Sequence, residues 1–232
     1  MPRMCILVFT IFCATLLFAS IQVESCSNNY HFDYILLALQ WPESFCEQNK
    51  CLPHQDKWSI HGSWPENNDG SWPQDCCTKQ PFNASLLKPI ESELLASWSS
   101  LKVGGSNNEF WSHEYSKHGT CAVESPLLKD ELRYFKSTLE VFHTIHLDKW
   151  LADSHIVPSE SRTYPVREIH EAVKQGLGHN VQIECSKSTI HHSSVVISQI
   201  NVCLDKNTLK PFNCPLSDRG CKQTSIGYLP SH

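Results

Sequence analysis

Between Phe110 and Cys121 the chain reads F-W-S-H-E-Y-S-K-H-G-T-C. Four of these side chains can handle protons and anions: His113, Glu114, Lys117 and His118. On a helix, positions three and four apart share a face. Glu114, Lys117 and His118 therefore line one side, and His113, four before Lys117, overlaps it. A carboxylate, an ammonium and imidazoles so grouped can move a proton and hold an anion. Another imidazole, His61, lies upstream in I-H-G-S-W-P at 60–65. His61 and His118 together suit chemistry across one phosphate, with a fixed cation steadying the charge that develops between them. His113 and His118 are five apart, so with Glu114 they do not make the H-E-x-x-H pattern of a helical zinc site. No C-x-x-C pair occurs either. No metal or other cofactor is expected.

The elements that must position these groups can be read from hydrophobic periodicity. Phe32 to Leu39 is a short apolar run and reads as a buried strand. In the next strand Trp58, Ile60 and Gly62 alternate with Ser59 and His61, so His61 faces away from the core. Pro65 is expected to end that strand. A turn-rich loop with Asp69-Gly70 and Trp72 follows. Asn83 or Ser85 can cap a helix over Leu86, Ile90, Leu94, Leu95 and Trp98. Residues 104–108 read as a flexible link into the His113–His118 helix. Ser125 and Pro126 read as the cap and first turn of an amphipathic helix carrying Leu128, Leu132, Phe135, Leu139, Phe142 and Ile145. Val166, Ile169, Val173 and Leu177 mark another helix, with Gly176 and Gly178 at its end. The last third reads as strands: 181–185, 188–192 and 195–204. Helices in the middle and strands at both ends imply an α+β fold with a mostly antiparallel central sheet flanked by helices.

The chain has 232 residues, a 41% hydrophobic and 19% charged composition, and a formal charge of −5 with histidine neutral. These values fit one globular domain. They lack the basic footprint of a protein held to nucleic acid mainly by counterion release. A local anion site on an enzyme is still compatible with them. The 13 histidines make the charge strongly pH-dependent. Residues 1–25 combine Arg3 with an apolar run from Cys5 to Leu17 and small residues at Ala19, Ser20 and Ser25. They read as a secretory signal cleaved after Ser20 or Ser25, too short for a membrane span. Residues 26–232 then form a single domain, with no second apolar run of membrane length. Twelve cysteines are present and ten lie beyond the signal. An even number behind a secretory signal implies a disulfide framework. Asn83-Ala84-Ser85 is a glycosylation sequon.

At this point I-H-G-S-W-P and F-W-S-H-E-Y-S-K-H-G-T-C resemble the two active-site segments of the ribonuclease T2 family. The run F-D-Y-I-L-L-A-L-Q-W-P at 32–42 resembles that family's first core strand, and the likeness extends from Phe32 to about Pro230. It implies a ribonuclease T2-like, disulfide-stapled catalytic domain. It also implies a secreted, metal-independent endoribonuclease that cleaves single-stranded RNA through a 2′,3′-cyclic phosphate. By the resemblance His118 is the general base and His61 the general acid, an assignment the sequence alone leaves reversible. Lys117 and Glu114 stabilise or orient the phosphorane, and His113 holds the phosphate. Trp64, Glu66 and Trp72 correspond to base-binding positions, and Gln40 and Phe110 to a second base site. Core packing is the competing reading for Trp64, Trp72 and Phe110. The implied disulfides are Cys46–Cys51, Cys76–Cys121, Cys185–Cys221 and Cys203–Cys214, with Cys26 and Cys77 left to each other.

Two positions depart from the family pattern: Ser63 replaces a usual Leu, and Tyr115 a common Trp. The remaining histidines share no motif and read as surface or structural. The expected partner is single-stranded RNA, not DNA. The protein is expected to be a monomer in an extracellular compartment, with lysosome or vacuole as further destinations. A glycan-reading uptake receptor is a further partner. A different class of function also suits the scaffold: a secreted effector acting on other cells by binding. Intact His61, Glu114, Lys117 and His118 favour the enzyme.

Overall fold

The computed structural model describes residues 30–77, 81–215 and 220–231. The expected signal segment, Cys26 and its pairing with Cys77 lie outside the described residues. The sheet has seven strands in the order β2-β1-β5-β7-β3, with β4 and β6 also paired to β5. Its strands are β1 (Tyr34–Gln40), β2 (Ser59–Glu66), β3 (Ser159–Pro165), β4 (Gln182–Lys187), β5 (Val195–Asp205), β6 (Pro211–Phe212) and β7 (Ser225–Tyr228). Pairing is antiparallel except between β5 and β7.

All seven residues of β1 are buried. A central strand covered on both faces reads as a continuous apolar run, as 34–39 does. Ile35, Leu37 and Leu39 enter the main core, while Tyr34 and Leu36 enter a smaller cluster with Cys203 and Cys214. The helices pack over the main core. They are α1 (Pro42–Cys46), α2 (Glu91–Ser97), α3 (Asn107–Lys117), α4 (Glu131–Phe142), α5 (Leu147–Asp153) and α6 (Val166–Leu177). Trp98, Trp111, Tyr115, Tyr134 and Phe135 are buried where α2, α3 and α4 meet β2. Each such side chain contributes roughly 1.5–3 kcal/mol by leaving water. Four disulfides bind the described chain: Cys46–Cys51, Cys76–Cys121, Cys185–Cys221 and Cys203–Cys214. All four match the pairing that the family likeness implied.

Several local expectations are corrected. β2 runs through Pro65 to Glu66, because it is an edge strand and its proline needs no ladder donor. Residues 188–192 form a turn rather than a strand. There the Glu47 carboxylate accepts the backbone N–H groups of Thr189 and Ile190 in place of a neighbouring strand. Asn83 does cap a helix, but its first seven residues are 3-10, which turns Leu86 and Leu95 outward and Leu87 inward. Ser125 and Pro126 lie before the amphipathic helix. Asp130 caps it, accepting from the Arg133 N–H. Ser106, in the supposed flexible link, makes a capping box with Glu109 and starts α3 firmly.

Candidate active site

His61 sits on a β-bulge. Ala38 pairs with Gly62 and Leu39 with Ile60, so His61 is the extra residue of β2. A bulge re-aims a side chain and breaks the ladder locally. Here it also puts Gly62, together with Trp64, on the face opposite Ile60, against the simple alternation expected. A Cβ on Gly62 would lie 2.0 Å from Trp64 Nε1 and 2.3 Å from Glu114 Oε2. Only glycine leaves room for that approach. The displaced His61 carbonyl accepts the Trp98 indole N–H at 2.9 Å, and the Trp98 carbonyl accepts the Trp111 indole N–H at 2.7 Å. The bulge is thereby tied to α3, the helix that carries the second half of the site.

Glu114 is 2% exposed and accepts the Trp64 indole N–H at 2.9 Å. Burial pushes its carboxyl up to about 7, opposed by that hydrogen bond and by the Lys117 charge. His118 closes α3, its N–H donating to the Glu114 carbonyl at 3.0 Å. The His118 ring is buried, and its Nδ1 has no hydrogen-bond partner. Burial, with Lys117, His113 and His61 adding repulsion, pushes the imidazole down to about 3. His61 is also lowered, first by burial, then by the His113 and Lys117 charges, while Gln199 opposes the shift. His61 Nδ1 meets Gln199 Oε1 at 2.9 Å.

Trp64 lies between the two imidazoles, its ring 5.1 Å from that of His61 and 5.3 Å from that of His118. It organises the cluster as well as facing out of it. His113 is exposed and Lys117 half-buried, and both line one groove along α3. The loop before them is held from two sides. Asp75 N–H donates to the Lys117 carbonyl at 2.9 Å, and Cys76 is bonded to Cys121. All five expected proton- and phosphate-handling residues therefore gather at one end of α3 and the bulge of β2.

The expected base-site residues separate into two places. Trp64 and Glu66 line one pocket with Tyr34, Asn67 and Glu184. Gln40 and His61 line another with Phe45, Asn49 and Gln199. The Phe110 ring is half-buried, 6.3 Å from that of His61. Trp72 is 47% exposed and outside the walls of both pockets. Ser63, the departure from the family pattern, is buried, and its carbonyl accepts the Tyr134 hydroxyl at 2.8 Å. Tyr115 is fully buried against Tyr134 and Phe135. Gln199 was not singled out from sequence. The available signal was a pair of amides, Gln199 and Asn201, in a strand otherwise rich in Val and Ile.

This disulfide-stapled α+β domain gathers two imidazoles, a buried carboxylate and a lysine, groups that can move protons and hold an anion. The ribonuclease T2 family model matches residues 32–214. Ribonuclease DdI of Dictyostelium discoideum is 32% identical over 199 residues, covering 85% of this chain and 84% of its own. Extracellular ribonuclease LE of Solanum lycopersicum is 33% identical over 204 residues, covering 85% and 86%. The crystal structure of RNase NT in complex with 5′-AMP superposes with a TM-score of 0.78 at 31% identity, covering 87% of this chain and 100% of that one. The chain belongs to the ribonuclease T2 family and is an endoribonuclease of that family.

Proposed function

We propose that this protein cleaves single-stranded RNA by transesterification through a 2′,3′-cyclic phosphate, with no metal, His118 being the general base and His61 the general acid. RNA carries its own nucleophile beside each phosphodiester. His118 takes the 2′-OH proton, the 2′-oxygen bonds to phosphorus, and the bond to the 5′-oxygen breaks. His61 delivers its proton to that departing oxygen. Water then opens the cyclic phosphate by the reverse use of the same two groups.

The observation that carries the reading is the unequal partnering of the two imidazoles beside one buried carboxylate: burial lowers both, but His61 Nδ1 has the Gln199 oxygen as a partner and His118 Nδ1 has none among the described residues. A base must be neutral in the free enzyme, and His118, pushed down to about 3, is neutral over nearly the whole pH range. An acid must hold a proton, and although burial lowers His61 as well, the Gln199 oxygen opposes that shift, which no described residue does for His118. The mutual repulsion of His61, His113, Lys117 and His118 is relieved when a phosphate enters. Substrate binding and proton uptake are therefore linked. Glu114, raised to about 7, is protonated in mildly acid medium and can donate to a phosphate oxygen. Lys117 and His113 supply the remaining positive field.

Trp64, Glu66 and Trp72 are proposed for one base and Gln40 and Phe110 for its neighbour. Stacking on aromatic rings tolerates any base. Secretion is supported by the leader-like residues 1–25 and by four disulfides. A glycan at Asn83 is supported by the residue's exposure at a helix start.

The test is cleavage of single-stranded RNA by purified protein in EDTA, beside His118→Ala, with end-group analysis of the products. Cyclic phosphate ends from wild type alone are expected. Persistent cleavage by His118→Ala, or loss of wild-type cleavage in EDTA, overturns the two-histidine reading.

A further inference from the structure

We propose that Glu184 and Gln199 form a positioning relay that fixes the tautomer of His61; this rests on the reading of His61 as the general acid. Glu184 and Gln199 face each other across the β4–β5 pair. Both carboxylate oxygens of Glu184 are engaged from β5. Oε1 accepts from Asn201 Nδ2 at 2.8 Å, and Oε2 accepts from Gln199 Nε2 at 3.1 Å. An amide offers donors only from its nitrogen and acceptor pairs only from its oxygen. A carboxylate can only accept. Glu184 therefore fixes which end of the Gln199 amide points away from it. That end is Oε1, and it lies 2.9 Å from His61 Nδ1.

The consequence for His61 follows from the same inventory. Gln199 Oε1 cannot donate, so His61 Nδ1 must carry a hydrogen. Nε2 is then the only nitrogen left for the substrate. When His61 is charged, Nε2–H is the transferable proton and Nδ1–H stays on Gln199. When it is neutral, Nδ1–H remains, and Nε2 can take back a proton as the cyclic phosphate opens. The tautomer needed in both half-reactions is set by a carboxylate two side chains away. Interposing a neutral amide also matters. A carboxylate directly on Nδ1 would hold the imidazole proton much more strongly, since charge-assisted bonds are roughly twice as strong as neutral ones. Gln199 orients the ring while leaving the proton easier to give. Glu184 does not touch the reacting atoms, and its role is to hold Gln199.

The test uses full-length protein and compares wild type with Gln199→Leu, Glu184→Gln, Gln199→Glu and the double variant Gln199→Glu/Glu184→Gln. Gln199→Leu is expected to lower kcat by at least about ten- to a hundredfold, the range seen when the partner that orients a metal-bound imidazole is removed, with KM changed by less than about twofold. Gln199→Glu alone sets two carboxylates against each other and is expected to be impaired as well. The double variant restores the donor order, with the residue-184 amide donating to the residue-199 carboxylate. It should recover activity and move the alkaline limb of the pH profile upward, because a full charge now sits on His61 Nδ1. Nitrogen-15 spectra of wild type should show neutral His61 protonated at Nδ1, and Glu184→Gln should mix the tautomers.

Full kcat in Gln199→Leu and Glu184→Gln, an unmoved limb in the double variant, or an Nε2–H tautomer in wild type each overturns the relay. The wild-type spectrum decides even if a variant fails to fold. His61→Ala, run alongside, separates the two ideas. If it abolishes cleavage while the relay variants are normal, only the relay fails. If it cleaves like wild type, the acid assignment fails first.

Discussion

The two imidazoles of this site are held in opposite ways. His61 stands on an edge-strand bulge, with its backbone carbonyl on Trp98 and its ring on Gln199. Directional bonds fix it. His118 ends a helix, with its ring against Trp64 and its Nδ1 unpartnered. Packing fixes it, and the missing partner is one reason its charged form is so disfavoured. On the proposed assignment, the base benefits from being kept neutral, and the acid from being kept aimed. Burial lowers both imidazoles, and the contrast lies in what opposes it: His61 has an acceptor on its ring, and His118 has none among the described residues.

The largest expected effect comes from deleting either ring. His61→Ala and His118→Ala should each lower kcat/KM by about 10²–10⁴-fold. The comparison is sharpened by carrying the pH series through both variants, since each should lose a different limb. Next is Glu114→Gln, expected to lower kcat by about a hundredfold if the protonated carboxyl is a donor to the phosphorane. The same change should raise stability. A carboxyl raised to about 7 opposes folding once it ionises. Its contribution is intact below the ordinary carboxyl range and is lost as pH rises toward 7. Glu114→Gln should therefore be more stable than wild type at pH 8 by about 2–3 kcal/mol, with little difference at pH 4. Denaturant titrations at the two pH values measure it, and equal differences at both would count against the raised carboxyl.

The wild-type profile itself tests the contrast. kcat/KM should fall at the acid end only as His118 protonates, near its lowered value of about 3. It should fall at the alkaline end as His61 loses its proton, below the ordinary imidazole value of about 6.5. The optimum then lies in mildly acid medium, and an optimum at or above pH 7 breaks the assignment. The smallest effects concern the supports. Trp98→Phe strips the donor from the His61 carbonyl and should cost about 1–3 kcal/mol of stability. Gly119→Ala presses a methyl into the Tyr115 ring beside His118, where a Cβ would lie 2.3 Å from Cδ2, and should cost about 1–3 kcal/mol by overpacking. Thermal melts with single-turnover rates would show whether activity falls further than stability at each site.

Much of this was legible along the chain because the relevant signals are local. The apolar run at 34–39, the periodicity of α4 and α6 and the His-Glu-Lys-His spacing each need only a few neighbouring residues. The failures have non-local causes. Residues 188–192 look like a strand, yet Glu47, about 140 positions away, accepts their N–H groups. β3 and β7 were missed because each is completed by the other: β3 is mostly exposed, and β7 has only four residues. Trp64 reads as a base-stacking ring from its motif. Its bond to Glu114 joins residues 50 apart and makes it equally a part of the catalytic cluster.

The sequence by itself determined the chemical inventory: which imidazoles, which lysine and which carboxylate, and which cysteines are available to staple the chain. Side-chain identity and short spacing are properties of the covalent chain, so they could be read directly. Only the tertiary structure decided the protonation bias of each group and the orientation of His61. Burial of Glu114 and His118 against Trp64, the repulsion between His61 and the α3 cations, and the Gln199–His61 contact all depend on distances between segments that are remote in the chain, and those distances exist only after the sheet has closed on α3.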